Sequence, residues 1–202
     1  VGFFKPHLPF IAQQKYWDLY DHEDIHLPGN YHVPKDAPKE SIHTSGEPRA
    51  YAGIPAKGPV SDEAARNLIH GYYACVSYID AQIGLMIEAL EKAGLRDNTV
   101  IVVWGDHGWH LGDMGGCGKA TNYEIATRVP LILWTPDMKS RGNSSQSIVE
   151  LLDLYPTLCD LAGIPIPAHC EGKSFGEILD NPEHRGKNVA VSQFPSQALR
   201  EW

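Results

Sequence analysis

The sequence has no surplus of positive charge, no apolar run long enough to span a bilayer, and no closely paired cysteines. Basic residues number 17 against 25 acidic ones, a net charge of −8 with His neutral. A nucleic-acid-binding face needs clustered Lys and Arg, so that class of partner is excluded. The longest apolar runs are Thr99–Trp104 and Val129–Trp134. Both fall far short of the roughly 20 residues of a membrane-spanning helix. No signal peptide is visible. The chain enters Val1-Gly2-Phe3-Phe4 without Met, and we expect this to be the cut end of a longer protein. The four cysteines are Cys75, Cys117, Cys159 and Cys170. None forms a Cys-x-x-Cys pair, which excludes zinc-ribbon and thioredoxin-type sites. Cys75 and Cys159 sit in apolar helical patterns and read as buried free thiols. Cys117 and Cys170 lie in polar loops, where a disulfide between them is one open reading.

What is present suits an ordinary packed domain, or most of one. The chain has 202 residues, 43% hydrophobic and 21% charged, enough apolar content to form a core. Residues 1–60 read as loop, because Pro recurs at 6, 9, 28, 34, 38, 48, 55 and 59 and removes backbone donors each time. Long irregular segments of this kind serve a site or make a surface excursion, and both readings stand for residues 20–60. Ser61 is placed to cap a helix, with Asp62 and Glu63 at its positive end. Leu68, Ile69, Tyr72, Val76, Ile79, Ile83, Met86, Ile87 and Leu90 follow at helical spacing, and Gly94 is a stop. A helix this long is expected to pack along a sheet. Asn98–Trp104 and Val129–Trp134 are unalternating and β-branched, as in buried parallel strands. Ser147 and Glu150 suggest a capping box for a helix running to about Ala162, kinked at Pro156 and ended by Gly163. Asn188–Phe194 is a candidate last strand. Strands alternating with helices predict an α/β fold with a mostly parallel sheet flanked by helices. There is no internal repeat.

In such sheets ligands bind beyond the carboxyl ends of the strands. Asp106 and His107 fall just past Trp104, where a carboxylate and an imidazole can offer oxygen and nitrogen to a cation. Gly108 allows close backbone approach. The bare tripeptide reads equally as a strand-end turn. Trp109, His110, a Gly-rich loop and Lys119 follow. A lysine near a divalent metal suits a tetrahedral oxyanion, since both place positive charge where negative charge develops. In Lys5-Pro6-His7-Leu8-Pro9-Phe10 two prolines fix the backbone around an imidazole that can donate to an oxyanion or a leaving oxygen.

These runs carry a family likeness. Val1–Phe10, Gly105–Asp113, Gly118–Glu124 with Ala126–Leu131, Tyr78-Ile79-Asp80 and Asp153–Leu158 resemble the type I, formylglycine-dependent sulfatases, in particular the iduronate-2-sulfatase branch and its bacterial relatives. The likeness covers nearly the whole chain, with residues 20–60 the least typical. It implies an alkaline-phosphatase-like α/β fold, here incomplete. Residues 1–60 would be a Pro-rich active-site loop and excursion, and residues 61–202 the carboxyl-side part of the catalytic domain. Asp106 and His107 would ligate one calcium ion. His7 and Lys119 would be catalytic, contacting the sulfate, with His7 as proton donor to the leaving oxygen. Lys5, Trp109 and His110 would meet substrate, His110 with a structural role as the other choice. The substrate class implied is a sulfated sugar or glycosaminoglycan, and the location exported or lysosomal. Asn143-Ser144-Ser145 fits a glycosylation acceptor.

The sequence also departs from that family. No Cys is followed by the Pro/Ala and Arg of the formylglycine motif, and two further acidic metal ligands are absent. Gly116-Cys117 stands where a Trp is common, and the smaller carboxyl-terminal subdomain is not reached. We therefore expect half of a site, completed by the remaining part of the same sulfatase, with the 202 residues inactive and poorly stable alone. Two other functions stay open: a metal-dependent phosphodiesterase or phosphonate hydrolase of the same superfamily, and a non-catalytic anion-binding module.

Overall fold

A computed structural model describes residues 1–42, 46–58 and 60–193. In chain order its principal elements are α1 (Gln14–Trp17), α2 (Asp62–Lys92), β1 (Ile101–Trp104), β2 (His110–Leu111), β3 (Cys117–Gly118), α3 (Glu124–Thr127), β4 (Leu131–Trp134), α4 (Leu154–Leu161) and α5 (Gly176–Asp180). They fall into two compact units. The first comprises Val1–Ala89 and His107–Arg128; the second comprises Leu90–Asp106 and Val129–Gln193.

In the first unit α2 begins as its sequence dictates. The Ser61 hydroxyl accepts from the Ala64 N–H at 3.2 Å, closing one of the open donors of the first turn. Ala65, Ile69, His70, Gly71, Ala74 and Cys75 are buried. They meet an aromatic segment of the same unit. Phe10 stands edge-on to Tyr72 at 5.6 Å, and Tyr16 to Tyr78 at 5.5 Å. The Tyr20 hydroxyl reaches Ser77 Oγ at 2.6 Å. Between residues 20 and 60 the regular structure described is three short 3-10 turns, at His22–Asp24, Lys39–Ser41 and Pro48–Ala50, as the proline spacing predicts.

In the second unit, α2 ends at Gly94, whose φ of +67° is the left-handed stop. Its N–H reaches the Glu91 carbonyl and Leu95 N–H reaches Leu90, both turning back orphan carbonyls. β1 and β4 then pair antiparallel, Ile101 opposite Trp134 and Trp104 opposite Leu131. For this one pair of strands the parallel expectation is corrected. Apolar content reports burial and not strand direction, and direction follows from the connection. Full burial is corrected too, since Trp104 is 49% and Ile132 63% exposed.

The helix after residue 147 also starts differently. Glu150 and Asp153 form the capping box, and a 3-10 turn at Leu151–Asp153 leads into α4. Pro156 therefore sits in the first turn of α4, where a missing N–H costs nothing and no kink is needed. The predicted Ser147 cap instead bonds Ser145 Oγ and the His184 carbonyl. Gly163 ends α4 with the same bond pair seen at Gly94. Residues 188–193 form no strand; Phe194 lies outside the described residues. No helix among the described residues is long and apolar enough to cross a membrane.

Candidate active site

The site is built in the first unit, around a hairpin. β2 and β3 pair His110 with Gly118 and Leu111 with Cys117, so Lys119 leaves the end of a paired strand. His110 holds this hairpin from inside. Its side chain is fully buried; Nδ1 lies 2.9 Å from the Asp113 carbonyl and Nε2 2.8 Å from Thr121 Oγ1. A carbonyl only accepts, so Nδ1 carries the proton and Nε2 accepts from the threonine hydroxyl. Of the two roles expected for His110, substrate-facing or structural, its buried side chain takes the structural one and braces the loop.

The Lys119 ammonium lies 2.8 Å from His7 Nε2. His7 Nδ1 lies 2.8 Å from the Leu8 carbonyl, which again assigns Nδ1 as donor and leaves Nε2 as the working nitrogen. Trp109, 7% exposed, is the shared floor. His7 meets its ring edge-on at 5.9 Å, Phe10 at 6.1 Å, and Lys119 Nζ stands 5.4 Å from its centroid, a cation–π distance. Trp109 thus supports the two basic groups more than it lines open space. Lys5 is also placed differently from expectation. Its ammonium binds the His7 carbonyl at 3.2 Å and the Pro9 carbonyl, so it braces the loop that carries the imidazole. The Lys5–Pro6 and Leu8–Pro9 peptides are both cis.

Sequence reasoning missed Glu47. Its Oε1 lies 2.9 Å from His7 Nε2 and 3.4 Å from Lys119 Nζ. The two contacts make opposite demands on Nε2. Lys119 donates to the neutral ring, whereas Glu47 accepts from the imidazolium. No periodicity marked this glutamate, which lies in an irregular segment 72 residues from Lys119.

Gly108 shows why this loop needs glycine. A Cβ there would stand 1.9 Å from the Ile125 carbonyl oxygen, and the Gly108 N–H bonds the Ala126 carbonyl at 2.8 Å. Beside it, His107 Nδ1 lies 2.9 Å from the Gly108 carbonyl. Asp106, at the end of the β1 segment in the second unit, is exposed. Calcium takes about six to eight oxygen ligands. Among the described residues no three His, Cys, Asp or Glu side chains gather to hold a metal. Asp106 and His107 match calcium or a softer cation in donor type, but by themselves they do not make a calcium site.

None of the four cysteines is in a disulfide, so the Cys117–Cys170 bridge is not formed. Cys117 is buried in β3 rather than in a polar loop. Burial pushes its thiol up to about 11, although the neighbouring Trp109 indole and Arg49 draw it down. Burial also raises Cys75, with Lys5 opposing. Neither is a ready thiolate.

The fold is of the alkaline-phosphatase-like α/β class. The chain belongs to the sulfatase family, whose family model matches residues 3–164. It is 34% identical to mouse iduronate 2-sulfatase over 87% of this chain and 37% of that protein. It is 31% identical to a sulfatase of Formosa agariphila over 96% of this chain and 38% of that protein. Among solved structures, the phosphonate monoester hydrolase of Silicibacter pomeroyi superposes with a TM-score of 0.74 at 28% identity, over 97% of this chain and 41% of that one. The chain thus spans under half the length of these relatives.

Proposed function

We propose that the protein carrying this chain hydrolyses a sulfate ester of a sulfated carbohydrate. The observation that carries the reading is the contact of Lys119 Nζ with His7 Nε2 over Trp109. A cation and an imidazole there, whose Nε2 takes up a proton when the ammonium turns to the substrate, can neutralise charge on the sulfuryl oxygens as it develops. When the S–O bond to the alcohol breaks, its electron pair stays on the alcohol oxygen. His7 Nε2–H delivers the proton that completes the alcohol, and Lys119 holds the sulfuryl group while this happens. Lys5 and the Leu8 carbonyl fix the ring, and Trp109 excludes water beneath it. The attacking oxygen is proposed to come from a formylglycine outside these 202 residues. Asp106 and His107 are proposed to contribute donors to a calcium ion, but two donors fall short of its shell and no step is routed through it.

The substrate class rests on the family and on the name of its iduronate 2-sulfatase relatives. The likeness to a phosphonate monoester hydrolase favours one second reading, a phosphonate or phosphodiester substrate. Aryl sulfate and aryl phosphonate esters, offered with calcium and then with zinc or manganese, separate the two. Turnover of sulfate esters with calcium is the expected result. Turnover confined to phosphonate or phosphodiester substrates with transition metals sinks the sulfatase reading. An exported or lysosomal location is part of the proposal, and Asn143 of its acceptor motif is exposed.

A further inference from the structure

Glu47 occupies a place where, on the sulfatase reading, an anion should be. One carboxylate oxygen meets both His7 Nε2, at 2.9 Å, and Lys119 Nζ, at 3.4 Å. These are the two groups assigned above to the sulfuryl oxygens. The glutamate is delivered by a built loop. Pro48, next in sequence, is fully buried. The Arg49 guanidinium closes the following turns by donating to the Pro55 carbonyl at 2.7 Å and the Gly58 carbonyl at 2.9 Å. All three side chains of the cluster keep about a third of their surface in water, at 28%, 34% and 29% for His7, Glu47 and Lys119. An incoming anion can therefore reach the cations and displace the carboxylate without unfolding the loop.

We propose that Glu47 is an internal stand-in for the substrate's anionic group, an intramolecular competitor that holds His7 and Lys119 together until a sulfate ester replaces it. This rests on the sulfatase reading of the site. The exchange is balanced in charge. A carboxylate and a sulfate monoester each carry one negative charge, so Lys119 and the imidazole keep a single counter-charge before and after. The competitor lowers the apparent affinity of any anion for the pocket, because binding must first release the glutamate. It also keeps the Lys119 ammonium from being left without a counter-charge.

The test uses the protein expressed from its full coding sequence, with inorganic sulfate as the probe in calorimetry and KM on a sulfate ester as the second readout. Glu47→Gln keeps the shape and removes the charge. It should bind sulfate about tenfold tighter and lower KM, the scale of one charge-assisted contact. Glu47→Asp should stay close to wild type in sulfate affinity. Unchanged or weaker sulfate binding by Glu47→Gln overturns the proposal, and thermal melting with and without sulfate gives the same reading if that variant is less stable. If wild type binds methylphosphonate but not sulfate, the sulfatase reading fails instead. Glu47 is then judged by whether its Gln variant tightens the phosphonate.

Discussion

Lys119 Nζ lies 2.8 Å from His7 Nε2, a contact made across 112 residues of chain. Two groups this close act as a unit on whatever anion they share. Lys119→Ala in the full-length protein should lower kcat on an aryl sulfate by about 10²–10³, the usual cost of removing one preorganised donor. His7→Ala should do the same or more. The double variant should lose far less than the product of the two. Strictly multiplicative losses in steady-state kinetics would show that the residues act independently.

Gly108→Ala should damage the fold as well as the site. The added Cβ meets a backbone carbonyl, Ile125 O, at 1.9 Å, and backbone cannot swing aside as a side-chain tip does. Overpacking of this kind costs about 1–3 kcal/mol. A lowered midpoint in urea unfolding is expected, and an unchanged midpoint would contradict the packing around α3.

The Asp153–Lys187 pair of the second unit should set both pH edges of that unit's stability. Burial alone would raise the Asp153 carboxyl. The Lys187 ammonium at 2.8 Å and the N–H groups of Lys173 and Glu150 outweigh it and hold the carboxyl below its ordinary value. Burial would lower Lys187, but Asp153 and Glu150 hold it above its ordinary value. A lowered acid contributes stability above the ordinary carboxylate range and loses it as pH falls through the lowered value. A raised base contributes below the ordinary ammonium range and loses it as pH rises through the raised value. Urea unfolding against pH should show a plateau between these edges. Lys187→Met should lower the plateau, remove its alkaline edge and weaken its acid edge. The cost should fall at or below the low end of the about 3–5 kcal/mol for breaking a buried pair, because Lys187 keeps 26% of its side chain in water.

Thiol labelling should follow burial. Cys75, Cys117 and Cys159 are buried, and Cys170 is partly exposed. In native protein at neutral pH, iodoacetamide should modify Cys170 first and leave Cys117 unmodified until denaturant is added. Early modification of Cys117, read by mass spectrometry, would contradict its place in β3.

The elements written in local chemistry were legible in the sequence. Ser61 caps α2, and Gly94 and Gly163 end their helices as glycines do. His7 and Lys119 were found as anion-binding candidates, and the structure brings them together. What was not legible depends on partners distant in sequence. β1 and β4 read as buried parallel strands because apolar residues do not encode direction, and they pair antiparallel. His110 read as substrate-facing or structural, because a histidine letter does not reveal that both ring nitrogens are engaged. Lys5 carries charge, but its carbonyl partners are loop geometry. Glu47 had no motif at all, and an acid among bases is visible only once the chain has folded.

The hairpin braced by His110 has a consequence for how the site spends entropy. Lys119 extends from a strand pair locked on its inner side by a buried imidazole and Thr121. Its backbone is ordered when the chain folds rather than when an anion arrives, so only the outer bonds of the lysine stem remain to be fixed on binding. The loss of freedom is thus charged to folding stability, where the whole domain shares it, and the encounter with substrate starts from a cation already aimed.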